Sequence, residues 1–458
     1  MIRELCSFTI GEEFAQMRSI PVAMGAGQEK ATLFIHSRNP NIDPWSEAFN
    51  YARDTLKMTL FSNSGKRLWH RDMGWGMVPG IWYSPVLSFD LDGDGVDEIW
   101  YVCSARPNLP LSTFYRVLER IDPRSGEVTG QWPWPQYPRG ESMSYTYRYT
   151  LAAGYTQGEP VLITAQGTYG DMHLQGYQNG MIKRWEILIP ITEPGARASH
   201  VFPILDMNND GIDEIFWGER ILSVDDGHEL FCCDRDRFKA HSDIVVPFID
   251  PTDNRRYIYT CRESGGAPRV VTYDFDGNIV WSAVEAGHMH RGWIANIGED
   301  RRRIAMAMSL ALDAKGADVH RSTPTHYYFD AVSGEPVDFT MPFRGCDLMP
   351  IDFTGDGYHD FYGIGGDALG KCYNRFGECL ATLQAEDGGA RVVRSGKILD
   401  RPGQQLMLAY DKEGVVRIWG DDAAAGEDDP FCKRYHRFMQ HLMASGYNHF
   451  CGIQSCGM

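Results

Sequence analysis

Asn63-Ser64-Gly65-Lys66-Arg67-Leu68-Trp69 is a polar turn that ends in glycine and is followed within a few residues by an apolar side chain. The element returns as Arg124-Ser125-Gly126-Glu127-Val128, Gln178-Asn179-Gly180-Met181-Ile182-Lys183-Arg184-Trp185 and Asp225-Asp226-Gly227-His228-Glu229-Leu230. Four more copies centre on Gly277 (followed by Trp281), Gly334, Gly377 and Gly414 (followed by Trp419). Glycine at such a turn supplies the positive φ that a two-residue hairpin requires. Eight turns between Gly65 and Gly414 lie about 50 residues apart, the length of one four-stranded propeller blade.

The segments between the turns agree. Short runs of Val, Ile, Tyr, Phe and Trp are punctuated by Gly, Asp, Asn and Pro, and helix signals are scarce, so the chain reads as many short strands. Blades are expected to open near Met17, Tyr83, Tyr147, His200, His241, His290, Asp347 and Val392. The expected fold is all-β: one β-propeller over residues 1–458, with eight four-stranded antiparallel blades and 430–458 as a closing segment. A seven-bladed ring with one hairpin used elsewhere is the alternative. A β-helix would need a shorter and stricter period, and two sandwiches would not show eight similar turns.

Composition narrows the function. The 458 residues are 43% hydrophobic and 12% aromatic, enough to build a packed core. With 44 Lys+Arg against 61 Asp+Glu the net charge is −17, which repels nucleic acid. No run approaches the ~18 apolar residues of a membrane span. The first residues, Met1-Ile-Arg-Glu-Leu-Cys-Ser-Phe-Thr-Ile, show no export signal. An odd number of cysteines, 11, fits a reducing compartment. A cytoplasmic location is the expectation.

Three further segments share a spacing of oxygen ligands: Asp90-Leu-Asp92-Gly-Asp94-Gly-Val96-Asp97-Glu98, Asp206-Met-Asn208-Asn-Asp210-Gly-Ile212-Asp213-Glu214 and Asp352-Phe-Thr354-Gly-Asp356-Gly-Tyr358-His359-Asp360. Side-chain oxygens at positions 1, 3 and 5, a bend at Gly 6, a carbonyl at 7 and a carboxylate at 9 could wrap Ca²⁺. Apolar flanks place each turn between strands. The plain alternative is that Asp and Gly only cap a tight turn through Asx hydrogen bonds. Thr354 makes the third copy the poorest. Any ion there would be a blade staple, with a catalytic part as the alternative.

The blade openings carry the chemistry. Inner strands of a propeller line its axis, so Tyr147-Arg148-Tyr149, Ala198-Ser199-His200, Ala240-His241-Ser242-Asp243 and Gly287-His288-Met289-His290-Arg291 should converge on one funnel. Blade three adds Gln166-Gly167-Thr168-Tyr169-Gly170, and Arg184 before Trp185. A lone His or Tyr would more often be a packed residue; four blades repeating the placement favour a site. Arg offers a planar fork to a carboxylate, while His and Tyr exchange protons. Trp75, Trp82, Trp132, Trp134 and Trp293 offer faces for sugar rings, though most of the 12 Trp must be core. No nucleophile elbow, P-loop or His-Glu-x-x-His motif is present.

The run His200…Asp206-Met-Asn-Asn-Asp-Gly-Ile-Asp-Glu-Ile215…Gly218…Asp225-Asp226-Gly227…His241-Ser-Asp243 resembles the central stretch of β-propeller polysaccharide lyases. The pattern is similar to the rhamnogalacturonan lyase family 11 type, with ulvan and rhamnose–glucuronate lyases behind it. Gly167 to Gly170 looks like the blade that carries a catalytic Tyr and Arg in such lyases. Ala198-Ser199 and Ser242 depart from the family's Gly-Asn-His and His-Gly-Asp, and Tyr147-Arg148-Tyr149 from an Arg-His pair.

The resemblance implies β-elimination at a uronic acid. An enzyme must then neutralise the carboxylate, remove the C5 proton and protonate the leaving O4. Arg184 or Arg291, aided by Ca²⁺ or not, would neutralise the carboxylate. Tyr169 would be the acid and a candidate base as well, and His200 or His241 the base or orienter. Arg148, Tyr149, His290, Arg291 and Trp293 would bind an acidic oligosaccharide. Competing readings are a hydrolase or epimerase on acidic oligosaccharides, using Asp243 and Asp347, and a non-catalytic binding propeller. Cys432, His436, His441, His449, Cys451 and Cys456 raise a Zn²⁺ site, against a short closing helix.

Overall fold

The apolar runs at the blade openings form the strands Gln16–Val22, Val86–Phe89, Thr150–Thr156, Ile204–Leu205, Ser242–Ile249, His288–Asn296, Leu348–Ile351 and Ala390–Gly396 in the computed structural model. Residues 1–44, 51–110, 115–135, 142–200, 202–250, 252–312, 318–383 and 390–426 are described. Each of these strands leads one antiparallel sheet, and the eight sheets are the blades of a propeller. Seven sheets have four strands; the sixth has three. There, Pro336 bridges Phe329 where a fourth strand would begin, and proline brings no ladder donor.

The ring closes on itself. Ile2–Thr9 pairs with Val415–Asp421 as the outermost strand of blade eight, in register from Ile2–Asp421 to Thr9–Val415. The expected closing segment 430–458, with its Cys/His cluster, lies outside the described residues. No described helix is long and apolar enough to cross a membrane.

All eight turn glycines have positive φ, from 66° at Gly414 to 90° at Gly65. The loops are longer than the two residues expected. Gly65 N–H donates to the Ser62 carbonyl while Ser62 N–H donates to Lys66, a three-residue loop, and Asp122–Glu127 encloses four residues. Seven of the turns come directly after the third strand of a blade. Gly414 instead joins strands two and three of blade eight, because the fourth comes from the N-terminus.

The aromatic after the turn has a purpose that spacing alone does not show. Trp69, Trp185 and Trp281 each donate Nε1–H to the turn of the next blade, at Pro123, Val224 and Ala331 (2.7, 2.9 and 2.9 Å). Their rings lie on Gly126, Gly227 and Gly334, where a Cβ would come within 2.6–2.9 Å. The glycine therefore leaves room for the neighbour's indole.

The acidic turns join the first two strands of blades two, four and seven, and they also bind neighbours. Residue 8 of each, Asp97, Asp213 or His359, donates its N–H to Ala23, Tyr155 or Asn296 of the preceding blade. Its side chain accepts the N–H of the same residue (2.8, 2.7 and 2.8 Å). Apolar clusters fill the space between adjacent blades, as where Ile20, Leu33 and Leu60 meet Val86 and Ile99.

Candidate active site

Tyr169 sits in the turn between the second and third strands of blade three, Glu159–Gln166 and Met172–Gln178. Gly167 makes that turn possible: its φ is +87°, and a Cβ would fall 1.9 Å from the Asp171 carbonyl. His200 precedes the inner strand of blade four, His241 precedes that of blade five, and His288 and His290 begin that of blade six. Glu263 follows the second strand of blade five, and the Ser242–Arg262 pairing brings it level with His241.

These side chains form one pocket. The Tyr169 hydroxyl hydrogen-bonds His200 Nε2. His200 Nδ1 lies 3.4 Å from Asp243, whose other oxygen is 3.0 Å from His290 Nδ1. Glu263 meets His241 Nε2 and, at 2.8 Å, His288 Nε2. Ring centroids of Tyr169 and His241 are 4.8 Å apart, and those of His200 and His241 5.0 Å. The buried Arg148 guanidinium lies 5.0 Å from the centre of the Tyr169 ring and 4.6 Å from that of Trp82, anchored on Ser144 and Asp43.

Burial and charge divide the imidazoles. Burial holds His200 neutral, at about 3, with Asp243 opposing that shift and His241 and Arg148 adding to it. Burial acts on His241 in the same sense, but hydrogen bonds to Asp243 and Glu263 overcome it and raise it to about 9. Burial and the nearby Glu263 would raise Asp243, yet the imidazoles hold it down at about 2. The same imidazoles keep Glu263 well below the usual carboxylate range against the effect of burial.

The donor atoms of Asp243, Glu263, His288 and His290 lie within 4.8 Å of one another, as do those of His200, His241 and Asp243. Mixed imidazole and carboxylate donors suit a divalent transition metal, whereas Ca²⁺ favours oxygen alone. From sequence, cations are expected at the acidic turns and one is raised at the C-terminal Cys/His cluster, but none at this pocket. There, the carboxylates of Asp90, Asp92 and Asp94 also converge within 4.8 Å. Backbone N–H groups already fold each of these turns onto its first Asp, as from Gly95 to Asp90, Gly211 to Asp206 and Gly357 to Asp352. Val96 and Ile212 sit in bridges to the preceding blade.

Other expected site residues lie elsewhere. Arg184 is on the outermost strand of blade three, with its guanidinium on the carbonyl and carboxylate of Asp225, so it does not reach the pocket. Trp293 is wholly buried and donates to Gly345. Tyr149 packs on Trp134 in an apolar cluster. Neither offers a face to a sugar. Arg291 starts blade six but turns towards blade seven, donating to the Cys346 carbonyl at 2.7 Å. Asp347 is held by Arg344 at 2.7 Å, apart from the partners of Asp243. Among the tryptophans, Trp75 is exposed while Trp82 and Trp134 are buried.

Comparison with known proteins agrees with this architecture. A curated relative, the rhamnogalacturonan exolyase YesX of Bacillus subtilis (strain 168), is 26% identical over 270 residues, covering 51% of this chain and 43% of that protein. Over that stretch the chain is similar in sequence to a rhamnogalacturonan lyase. The alignment spans less than half the length of that relative. Solved rhamnogalacturonan lyases share the fold: YesX superposes with a TM-score of 0.78 over 96% of this chain and 80% of its own, at 16% identity. The Bacillus licheniformis rhamnogalacturonan lyase PL11 gives 0.73 over 97% and 80%, also at 16% identity. No family model matches the chain.

Proposed function

We propose that the protein is a lyase that cleaves a rhamnose–uronate glycan of the rhamnogalacturonan kind by β-elimination. The observation that carries this reading is the Tyr169 hydroxyl bonded to His200 Nε2, at the edge of a pocket of imidazoles and carboxylates. β-Elimination needs a proton taken from C5 and one given to O4. A phenol hydroxyl and a neutral imidazole in contact can relay both, each transfer contributing ~10²–10⁴-fold. Nε2 is the ring nitrogen that faces the hydroxyl, so the proton moves between those two atoms. Arg148 holds positive charge against the phenol ring and favours negative charge on its oxygen. With Arg184 outside the pocket, Arg148, whose guanidinium lies over the Tyr169 ring, is the group that would neutralise the substrate carboxylate.

Asp243, Glu263, His288 and His290 have the chemistry to hold a divalent cation. Bound there, it would supply Lewis-acid stabilisation of a developing enolate. Ca²⁺ at the turn of Asp90, Asp92 and Asp94 would be structural, reinforcing the contact with blade one.

Incubation with rhamnogalacturonan, ulvan and rhamnosyl-glucuronate oligosaccharides, with and without a chelator, tests the assignment. The expected result is ultraviolet absorbance of an unsaturated uronate from the rhamnogalacturonan substrate. Absence of that product from all three would overturn it.

A further inference from the structure

Behind the pocket runs a second polar group, three of whose members are each one residue away from a pocket donor. Ser199 precedes His200, Ser242 lies between His241 and Asp243, and Arg262 precedes Glu263. The Ser199 hydroxyl donates to the Ser242 carbonyl. The Ser242 hydroxyl donates to Glu219 Oε1 at 2.6 Å. Arg262 grips the same carboxylate with two nitrogens, Nε–Oε1 at 2.9 Å and Nη2–Oε2 at 2.5 Å. Glu219 is 0% exposed and Arg262 1%. Gly218 lets the backbone of residues 197–199 approach the start of this group, since a Cβ there would lie 2.5 Å from the Arg197 carbonyl.

A buried ion pair is an inefficient source of stability, because desolvation consumes much of its attraction. Its geometry points to another use. Glu219 is bonded at once to the segment carrying His241 and Asp243 and to the residue before Glu263, which come from two neighbouring strands of blade five. We propose that Glu219 is a positioning residue: through Ser242 and Arg262 it fixes the separation at which Asp243 and Glu263 share one divalent cation with His288 and His290. The proposal rests on the cation reading of the pocket and not on the lyase assignment.

The test is Mn²⁺ titration of the full chain, wild type against Glu219→Gln, Ser242→Ala and Asp234→Asn, with thermal unfolding alongside. Asp234 bonds the same Arg262 at 3.1 Å but is not a partner of Ser242, so its variant reports a merely structural loss. Glu219→Gln and Ser242→Ala are expected to weaken Mn²⁺ binding about 10- to 100-fold, and Asp234→Asn by less than about twofold. Should Glu219→Gln fail to fold, Ser242→Ala, which removes one hydroxyl, decides. Unchanged binding in that variant, equal weakening in all three, or a wild type that takes up no Mn²⁺ would overturn the proposal. Weakened binding in a protein that releases no unsaturated product would uphold the clamp and remove the lyase assignment.

Discussion

Tyr169→Phe separates chemistry from packing at the centre of the pocket. The substitution keeps the ring, and with it the contacts to His241 at 4.8 Å, Arg148 at 5.0 Å and Tyr145 at 5.9 Å. It removes only the hydroxyl bonded to His200 Nε2. A single neutral hydrogen bond contributes about 1 kcal/mol to folding, so the variant should unfold within a few degrees of the wild type. A lost proton transfer is worth ~10²–10⁴ in kcat, or about 2.7–5.4 kcal/mol of barrier. KM should hardly move. The assay is the initial rate of ultraviolet absorbance on rhamnogalacturonan oligosaccharide, with thermal unfolding on the same sample. A rate within tenfold of wild type would refute the role of Tyr169, and a stability loss above about 3 kcal/mol would make it a packing residue.

Three other outcomes are expected. Arg184→Ala should leave kcat/KM within about twofold, since that side chain is part of an exposed pair with Asp225. Arg148→Ala, which removes a desolvated cation from the Tyr169 ring, should cost about 2 kcal/mol, or roughly 30-fold in rate; the reverse order in the same rate assay would restore Arg184 to the site. Asp97→Ala leaves the Ala23 N–H without its 2.8 Å acceptor and should cost about 1–3 kcal/mol in denaturant unfolding, while Asp97→Asn, which keeps an acceptor, should cost less. His36 is buried between Thr59 and Glu12, and burial lowers it from 6.5 to about 3, the Glu12 oxygen at 3.5 Å not offsetting the loss of water. Between those values the unfolded chain binds the extra proton, so stability falls as pH falls, by about 2 kcal/mol at pH 5. His36→Gln should flatten urea-derived stability between pH 7 and 5, and an unaltered slope would contradict the argument.

The propeller is legible because its turns need glycine for backbone conformation, and at Gly126, Gly227 and Gly334 for the neighbour's indole as well, so such positions recur visibly. Gly414 shows the limit: a turn of the same composition joins a different pair of strands once the ring is closed by the N-terminus. The site is legible where function falls on a blade opening, as with His200, His241 and His290, or in a Gly-flanked turn, as with Tyr169. Glu263 is not, since only the register of Ser242 against Arg262 brings it beside His241. Arg184 misleads for the opposite reason. Proximity to Tyr169 in sequence says nothing of the strand Met172–Gln178 between them, which carries the chain from the Tyr169 turn to the opposite end of blade three. Asp97, Asp213 and His359 lie in a calcium-like spacing whose visible bonds staple blades, a role that spacing cannot distinguish from ion binding.

The most direct test of the central claim is mass spectrometry of the products formed from rhamnogalacturonan oligosaccharide in ¹⁸O-labelled water. Elimination breaks the C–O4 bond without adding water, so the account predicts fragments that carry no label and whose masses sum to that of the substrate. One labelled oxygen per cleavage would mean hydrolysis and would contradict it.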